Sequence, residues 1–206
     1  NLGEDADGDG ILFENSGEEW FLDSGDINNI DDDNDGYIDN LIGWNAHSNN
    51  GDLAVNLGLS HGTNVGGCVS SMTNNEYGIA SIGWSIKIMG ITNCDPGGSI
   101  TSGYEGILTA AQMGADIINN SWGSSGGPDY AEALINTVLN QYECIIVASA
   151  GNGGANIANY PAAFEGVLSV TSTSEGCIFS CWATRHETVD IAAPGDNIFT
   201  TTTSPN

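Results

Sequence analysis

The chain reads as an α/β protein built on a mostly parallel sheet. Short apolar runs of strand length alternate with longer segments of helical period, and the links between them are short. Such alternation builds parallel sheets with helices packed on their faces. A second observation is that apolar runs end in small residues and glycine, as in Ile145-Ile146-Val147-Ala148-Ser149-Ala150-Gly151-Asn152-Gly153. The carboxyl ends of strands in open α/β sheets are where sites are built.

Each element has its own signal. A helix is predicted from His61, where Val65, Cys68, Val69 and Met72 recur at i, i+3, i+4 and i+7 and form one apolar face. A strand is expected near 86–91. A helix over about 102–113 opens on the capping box Ser102-x-x-Glu105. A strand follows at 116–119, then a helix from Pro128 to about 141, with proline in a first-turn position. Strands at 144–148 and 166–171 complete the alternation. The glycine-rich stretches 95–98, 123–127 and 151–154 read as loops on the site side of the sheet, not as linkers. Residues before about Ile30 form a loose acidic region, which gives a division into 1–30 and 31–206.

Three segments carry chemistry. In Ser60-His61-Gly62-Thr63-Asn64 a histidine sits on the first turn of a helix, where it is held rigidly, and the glycine beside it leaves room for a substrate and a second catalytic group. Asn152, with glycine on both sides, can aim its side-chain amide at a developing oxyanion, although Asn-Gly also favours a plain turn. Ser121-Trp122-Gly123 ends the strand that starts near Asp116 and is placed to form a substrate-binding edge.

Taken in this order, the segments resemble the subtilisin-like serine proteases, the subtilase family. The resemblance extends through Tyr160-Pro161-Ala162-Ala163, Gly166-Val167-Leu168-Ser169-Val170 and Val189-Asp190-Ile191-Ala192-Ala193-Pro194-Gly195, and so covers roughly 31–201. It implies a three-layer subtilisin-like fold with a central, mostly parallel sheet, and an endopeptidase working by Ser-His-Asp catalysis. It also implies that His61 is the general base and Asn152 the oxyanion donor. Ser121, Trp122, Gly123, Ala150 and Gly151 would be the backbone walls that hold a peptide or protein substrate. Asn64 stands where many relatives carry a second, non-catalytic histidine.

The departures from the family pattern are as informative. No Gly-Thr-Ser-Met-Ala-like segment bearing a nucleophile follows Ala193-Pro194-Gly195. The only local match for the triad acid is Leu22-Asp23-Ser24-Gly25, and the residues before it do not read as a buried parallel strand. The fold is therefore expected to be incomplete in this chain, with apolar sheet faces left uncovered. Missing flanking segments of the same protein, or copies of the same chain, would cover them. The rival expectation is a non-catalytic extracellular structural or filament-forming protein that keeps a subtilase fold.

Charge narrows the partners. The 206 residues hold 27 acidic side chains against two basic ones, a formal net charge of −25. Nucleic acid and anionic membrane surfaces are excluded as partners by like-charge repulsion. No apolar run approaches the ~20 residues of a membrane span. The chain opens on Asn1 rather than methionine, as a processed chain would; secretion is expected from the family resemblance and the acidic loops. The acidic residues cluster. Asp31, Asp33 and Asp35 precede Gly36, with Asp39 beyond, in a D-x-D-x-D-G-x-x-D pattern that can wrap oxygen ligands around Ca²⁺; Tyr37 would add its carbonyl. Asp5, Asp7 and Asp9 before Gly10 repeat the first half, with Glu14 in position to close the loop.

Five cysteines, Cys68, Cys94, Cys144, Cys177 and Cys181, permit two disulfides with one thiol left over. Cys177 and Cys181 are spaced for a small loop, while Cys68 and Cys144 read as buried thiols. Zinc is not expected, because no second Cys or His pair completes four ligands. His47 and His186 read as ordinary polar residues.

Overall fold

The computed structural model describes residues 5–9, 11, 13–15, 20–53, 60–154 and 156–202. Gly10 and the side chains of Glu14 and Cys177 lie outside what is described. In chain order the elements are β1 (Phe13–Asn15), β2 (Trp20–Leu22), β3 (Gly43–Asn45), α1 (His61–Ser70), β4 (Gly90–Thr92) and α2 (Gly103–Gln112). They continue with β5 (Ile117–Asn120), α3 (Ala131–Gln141), β6 (Ile145–Ser149), β7 (Leu168–Ser174), β8 (Ile178–Phe179) and β9 (Ile191–Pro194). Contacts divide the chain into two compact units, Asn1–Asn56 with Lys87–Thr109, and Leu57–Ile86 with Ala110–Asn206. Residue 30 falls inside the first of them.

The first unit holds two small pairings. β1 and β2 run antiparallel, and β3 pairs in parallel with β4. Gly43 faces Gly90 so closely, at φ +150°, that a Cβ on Gly43 would overlap the Gly90 carbonyl. Leu41, Trp44 and Ile107 are buried here, and Tyr37 meets Trp44 edge-on at 4.9 Å between ring centroids. Asn45 ties the following turn together. Its Oδ1 accepts the N–H groups of His47 and Ser48, and its Nδ2 donates to Asp52 O at 2.9 Å.

The second unit is built on a five-stranded sheet. β5, β6, β7 and β9 are parallel neighbours, and β8 adds an antiparallel pairing at the end of β7. Side chains alternate across a strand. Ile118, Asn120, Ile146, Ala148, Ser169 and Thr171 are accordingly buried on one face. On the other face Ile117, Ile145 and Ile191 remain 62%, 54% and 48% exposed. Parallel sheets ordinarily bury both faces, and these three isoleucines leave part of the second face open among the described residues.

Two expected helices differ in detail. α3 begins at Ala131 rather than Pro128, because Ala131 N–H closes a turn onto Pro128 O before the helix starts. Its buried residues Ala131, Ile135 and Val138 then follow helical spacing. The apolar face expected on α1 is not buried. Val65 and Cys68 are half-buried, and Met72 lies past the helix end and is 73% exposed. The tight contact lies elsewhere on α1, at Gly67, where a Cβ would overlap the hydroxyls of Thr200 and Thr201. Residues 82–86 fold back on α1 instead of forming a strand, with Gly83 N donating to Val69 O and Ser70 Oγ to Ile86 O. This delays β4 to Gly90.

Cys144 is the buried thiol expected, its pKa pushed up by burial and by Asp116. Cys68 is half-buried. Cys68, Cys94, Cys144 and Cys181 carry free thiols, while the side chain of Cys177, the partner expected for Cys181, lies outside the described residues.

Candidate active site

The site lies in the second unit, where β5 and β6 end side by side. Their register pairs Asn120 with Ala148, which sets Ser121 and Ser149 at adjoining strand ends. His61, the first residue of α1, is exposed and brings its Nε2 to 3.0 Å from Ser121 O. A carbonyl only accepts, so Nε2 carries the proton in this contact. Asn119 Nδ2 donates to Ser121 Oγ at 2.9 Å. The structure thus joins two of the residues singled out in the sequence, His61 and Ser121.

Gly123 is exposed, and Ser124 beyond it exchanges both backbone hydrogen bonds with Tyr160 at 3.0 and 2.8 Å. On the β6 side, Ala150 is buried and its N–H bonds to Val170 O. Gly151 has φ +100°, a conformation that favours glycine. Its N–H donates to Ser149 Oγ, and its carbonyl accepts from Thr184 N at 3.0 Å. Asn152 follows on this turn with its side chain exposed. The turn is therefore braced from beneath while Asn152 stands clear of it.

Sequence reasoning missed Asn159. Its Nδ2 donates to Ser149 O at 2.9 Å, and its amide sits so near Gly123 that any Cβ there would overlap it. One side chain thereby links the β5 edge to the β6 edge. The only signal was its place before Tyr160-Pro161, which says nothing of a bond ten residues back. Asn64 also has a role. Its side-chain nitrogen faces the carbonyls of Ser60 and Thr201, both at 2.8 Å. Thr201 Oγ1 donates to Thr63 O and Thr200 Oγ1 to Asn64 O, so residues 200–201 run along the first turn of α1.

A model of the subtilase family matches residues 17–206. The chain belongs to the subtilase family. Thermitase from Thermoactinomyces vulgaris is 34% identical over 161 residues, which are 77% of this chain and 57% of that protein. The halolysin-like extracellular serine protease Nep from Natrialba magadii is 33% identical over 184 residues, 84% of this chain and 32% of that one. This subtilase chain therefore spans little more than half the length of the first relative and about a third of the second. The psychrophilic subtilisin-like protease Apa1 from Pseudoalteromonas sp. AS-11 superposes with a TM-score of 0.65 at 28% identity, over 70% of this chain and 34% of that structure. The fold is the subtilisin-like α/β fold.

The subtilase's acidic loops lie in its first unit. Asp31, Asp33 and Asp35 bring one carboxylate oxygen each within 4.8 Å of the others. The loop coils around them. Asp35 N donates to both Asp31 and Asp33, Gly36 N to Asp31 Oδ2 at 2.9 Å, and Tyr37 N to Asp35 Oδ1 at 2.8 Å. Asp39 is not gathered with them. Its carboxylate accepts the N–H groups of Asn28 and Asn29 instead. Asp5, Asp7 and Asp9 do not form one group either. Asp5 and Asp7 group with Asp26, and Asp7 and Asp9 group with Asp23. Asp23, the weak match for a triad acid, thus keeps company with carboxylates, and it accepts Gly25 N–H at 2.7 Å.

Proposed function

We propose that this chain is part of a secreted, calcium-binding subtilisin-like serine endopeptidase. The observation that carries the reading is the His61 imidazole at the carboxyl edge of β5, against the Ser121 carbonyl. In this reading an aspartate and a serine from outside these 206 residues complete the triad. The serine hydroxyl attacks a peptide carbonyl, and His61 takes its proton at Nε2 and later gives it to the leaving amine. Nε2 must first leave Ser121 O and present its lone pair, with the ring proton on Nδ1. A carboxylate at Nδ1 favours that tautomer. Asn152 and a backbone N–H would stabilise the tetrahedral oxyanion, while Ser121, Trp122, Gly123, Ala150 and Gly151 would hold an extended substrate.

Calcium is supported by the clustered carboxylates, which repel one another without a cation. Its role would be structural. Secretion is supported by the likeness to Nep, whose name calls it extracellular. No helix among the described residues is long and apolar enough to cross a membrane.

In the full protein, Asn152→Ala is expected to lower kcat by about 10²–10³, the loss known for the equivalent donor of a subtilisin, with little change in KM. A large rise in KM with unchanged kcat would contradict the oxyanion role. The exposed Ile117, Ile145 and Ile191 favour a second reading, a non-catalytic protein that assembles through its sheet. Intact mass before and after a fluorophosphonate probe separates the two. An adduct on a longer chain or companion fragment supports the protease. A single mass matching these residues, without adduct, supports assembly.

A further inference from the structure

We infer that Asp26 is the distant ligand that closes a calcium site with Asp5 and Asp7. This rests on the calcium reading proposed above for the acidic segments, and it names the closing residue. Asp26 is 0% exposed, and its Oδ2 has no hydrogen-bond partner among the described residues. Its other oxygen accepts Ala6 N–H at 3.0 Å, across a separation of 20 residues. That bond ties the carboxylate to the Asp5–Asp9 loop, and one Asp26 oxygen groups with an oxygen each of Asp5 and Asp7, all within 4.8 Å of one another. Leaving a buried carboxylate oxygen unpartnered is costly.

The surroundings point to a cation and not to a side-chain partner. Lys87 and Arg185 are the only basic side chains besides histidine, and the Arg185 guanidinium lies over the Phe179 ring. The carboxylates of Asp7, Asp9 and Asp23 form a second group that shares Asp7, so negative charge accumulates around the loop. Asp7 lies against the Gly25 backbone, where a Cβ would overlap its carboxylate. An all-carboxylate set of flexible reach suits Ca²⁺, which tolerates varied geometry, better than Mg²⁺, which demands near-ideal octahedra.

The test counts ions. The full chain is stripped with a chelator, titrated with calcium chloride alone, and weighed by native mass spectrometry. Asp26→Asn keeps the acceptor for Ala6, and Asp7→Asn changes an exposed position; each is expected to hold one ion fewer than the unsubstituted chain with the same circular dichroism. Asp33→Asn is expected to lose a different ion, so that Asp26→Asn with Asp33→Asn loses two. Asp26→Asn and Asp7→Asn both binding as many ions as the parent, at unchanged Kd, would overturn the Asp26 site while leaving the Asp31–Asp35 loop intact. A parent chain that binds no calcium would overturn both.

Discussion

The two acidic loops share a spelling and differ in how they close. Around Asp31, Asp33 and Asp35 the chain coils upon itself, with backbone N–H groups turned onto the carboxylates and Asn40 Nδ2 donating to Asp35 Oδ2 at 2.8 Å. Around Asp5, Asp7 and Asp9 backbone N–H groups also turn onto the carboxylates, but these divide between two groups, completed by Asp23 and Asp26. The first kind of closure is local, and its geometry follows from the loop alone. The second waits on residues arriving from elsewhere in the chain. A repeated sequence pattern therefore fixes where oxygens begin and leaves open which oxygens finish the shell.

On the calcium reading proposed above, removing the ion is the largest perturbation of this comparison. At free calcium about 100-fold above Kd, each ion stabilises the folded state by about 2.7 kcal/mol. With two ions bound, chelation is expected to cost about 5 kcal/mol, read as a fall in the thermal midpoint that calcium restores. No change on chelation would remove the distinction between the loops, because neither would then hold an ion.

Single glycines separate the loops by opposite mechanisms. Gly25→Ala places a methyl group into the Asp7 carboxylate, and overpacking of this kind costs about 1–3 kcal/mol. The loss is expected to disappear when calcium is absent and Asp7 is free to move aside. Gly36→Ala meets no neighbouring atom but puts alanine at φ +97°, a strain of about 1–2 kcal/mol. That loss is expected to persist with or without calcium. Chemical denaturation of both variants, with and without chelator, checks this pair. The same calcium dependence in both would mean that the loops close alike.

Local features were the legible ones. The alternation of elements, the histidine at the start of α1 and the glycine turn after β6 were all visible, because period and punctuation are properties of neighbouring residues. Asp26 and Asn159 were not visible. Asp26 reads as a turn residue in Gly25-Asp26-Ile27, and its partner Ala6 lies 20 positions away. Asn159 acts through Ser149, ten positions back. The α1 face misled for a related reason. Periodicity shows that Val65, Cys68 and Val69 share a side, but not that another element meets it. Met72 obeyed the spacing and still fell beyond the helix, because Ser71 is extended at ψ 140°.

Asn159 has a mechanical consequence. Its amide bonds to Ser149 O and packs against Gly123, and the next residue, Tyr160, exchanges two backbone hydrogen bonds with Ser124, so residues 159–160 strap the ends of β5 and β6 together. A molecule that spreads those ends must break one set of these bonds. The edge on which a peptide would lie is thus held as one stiff lip.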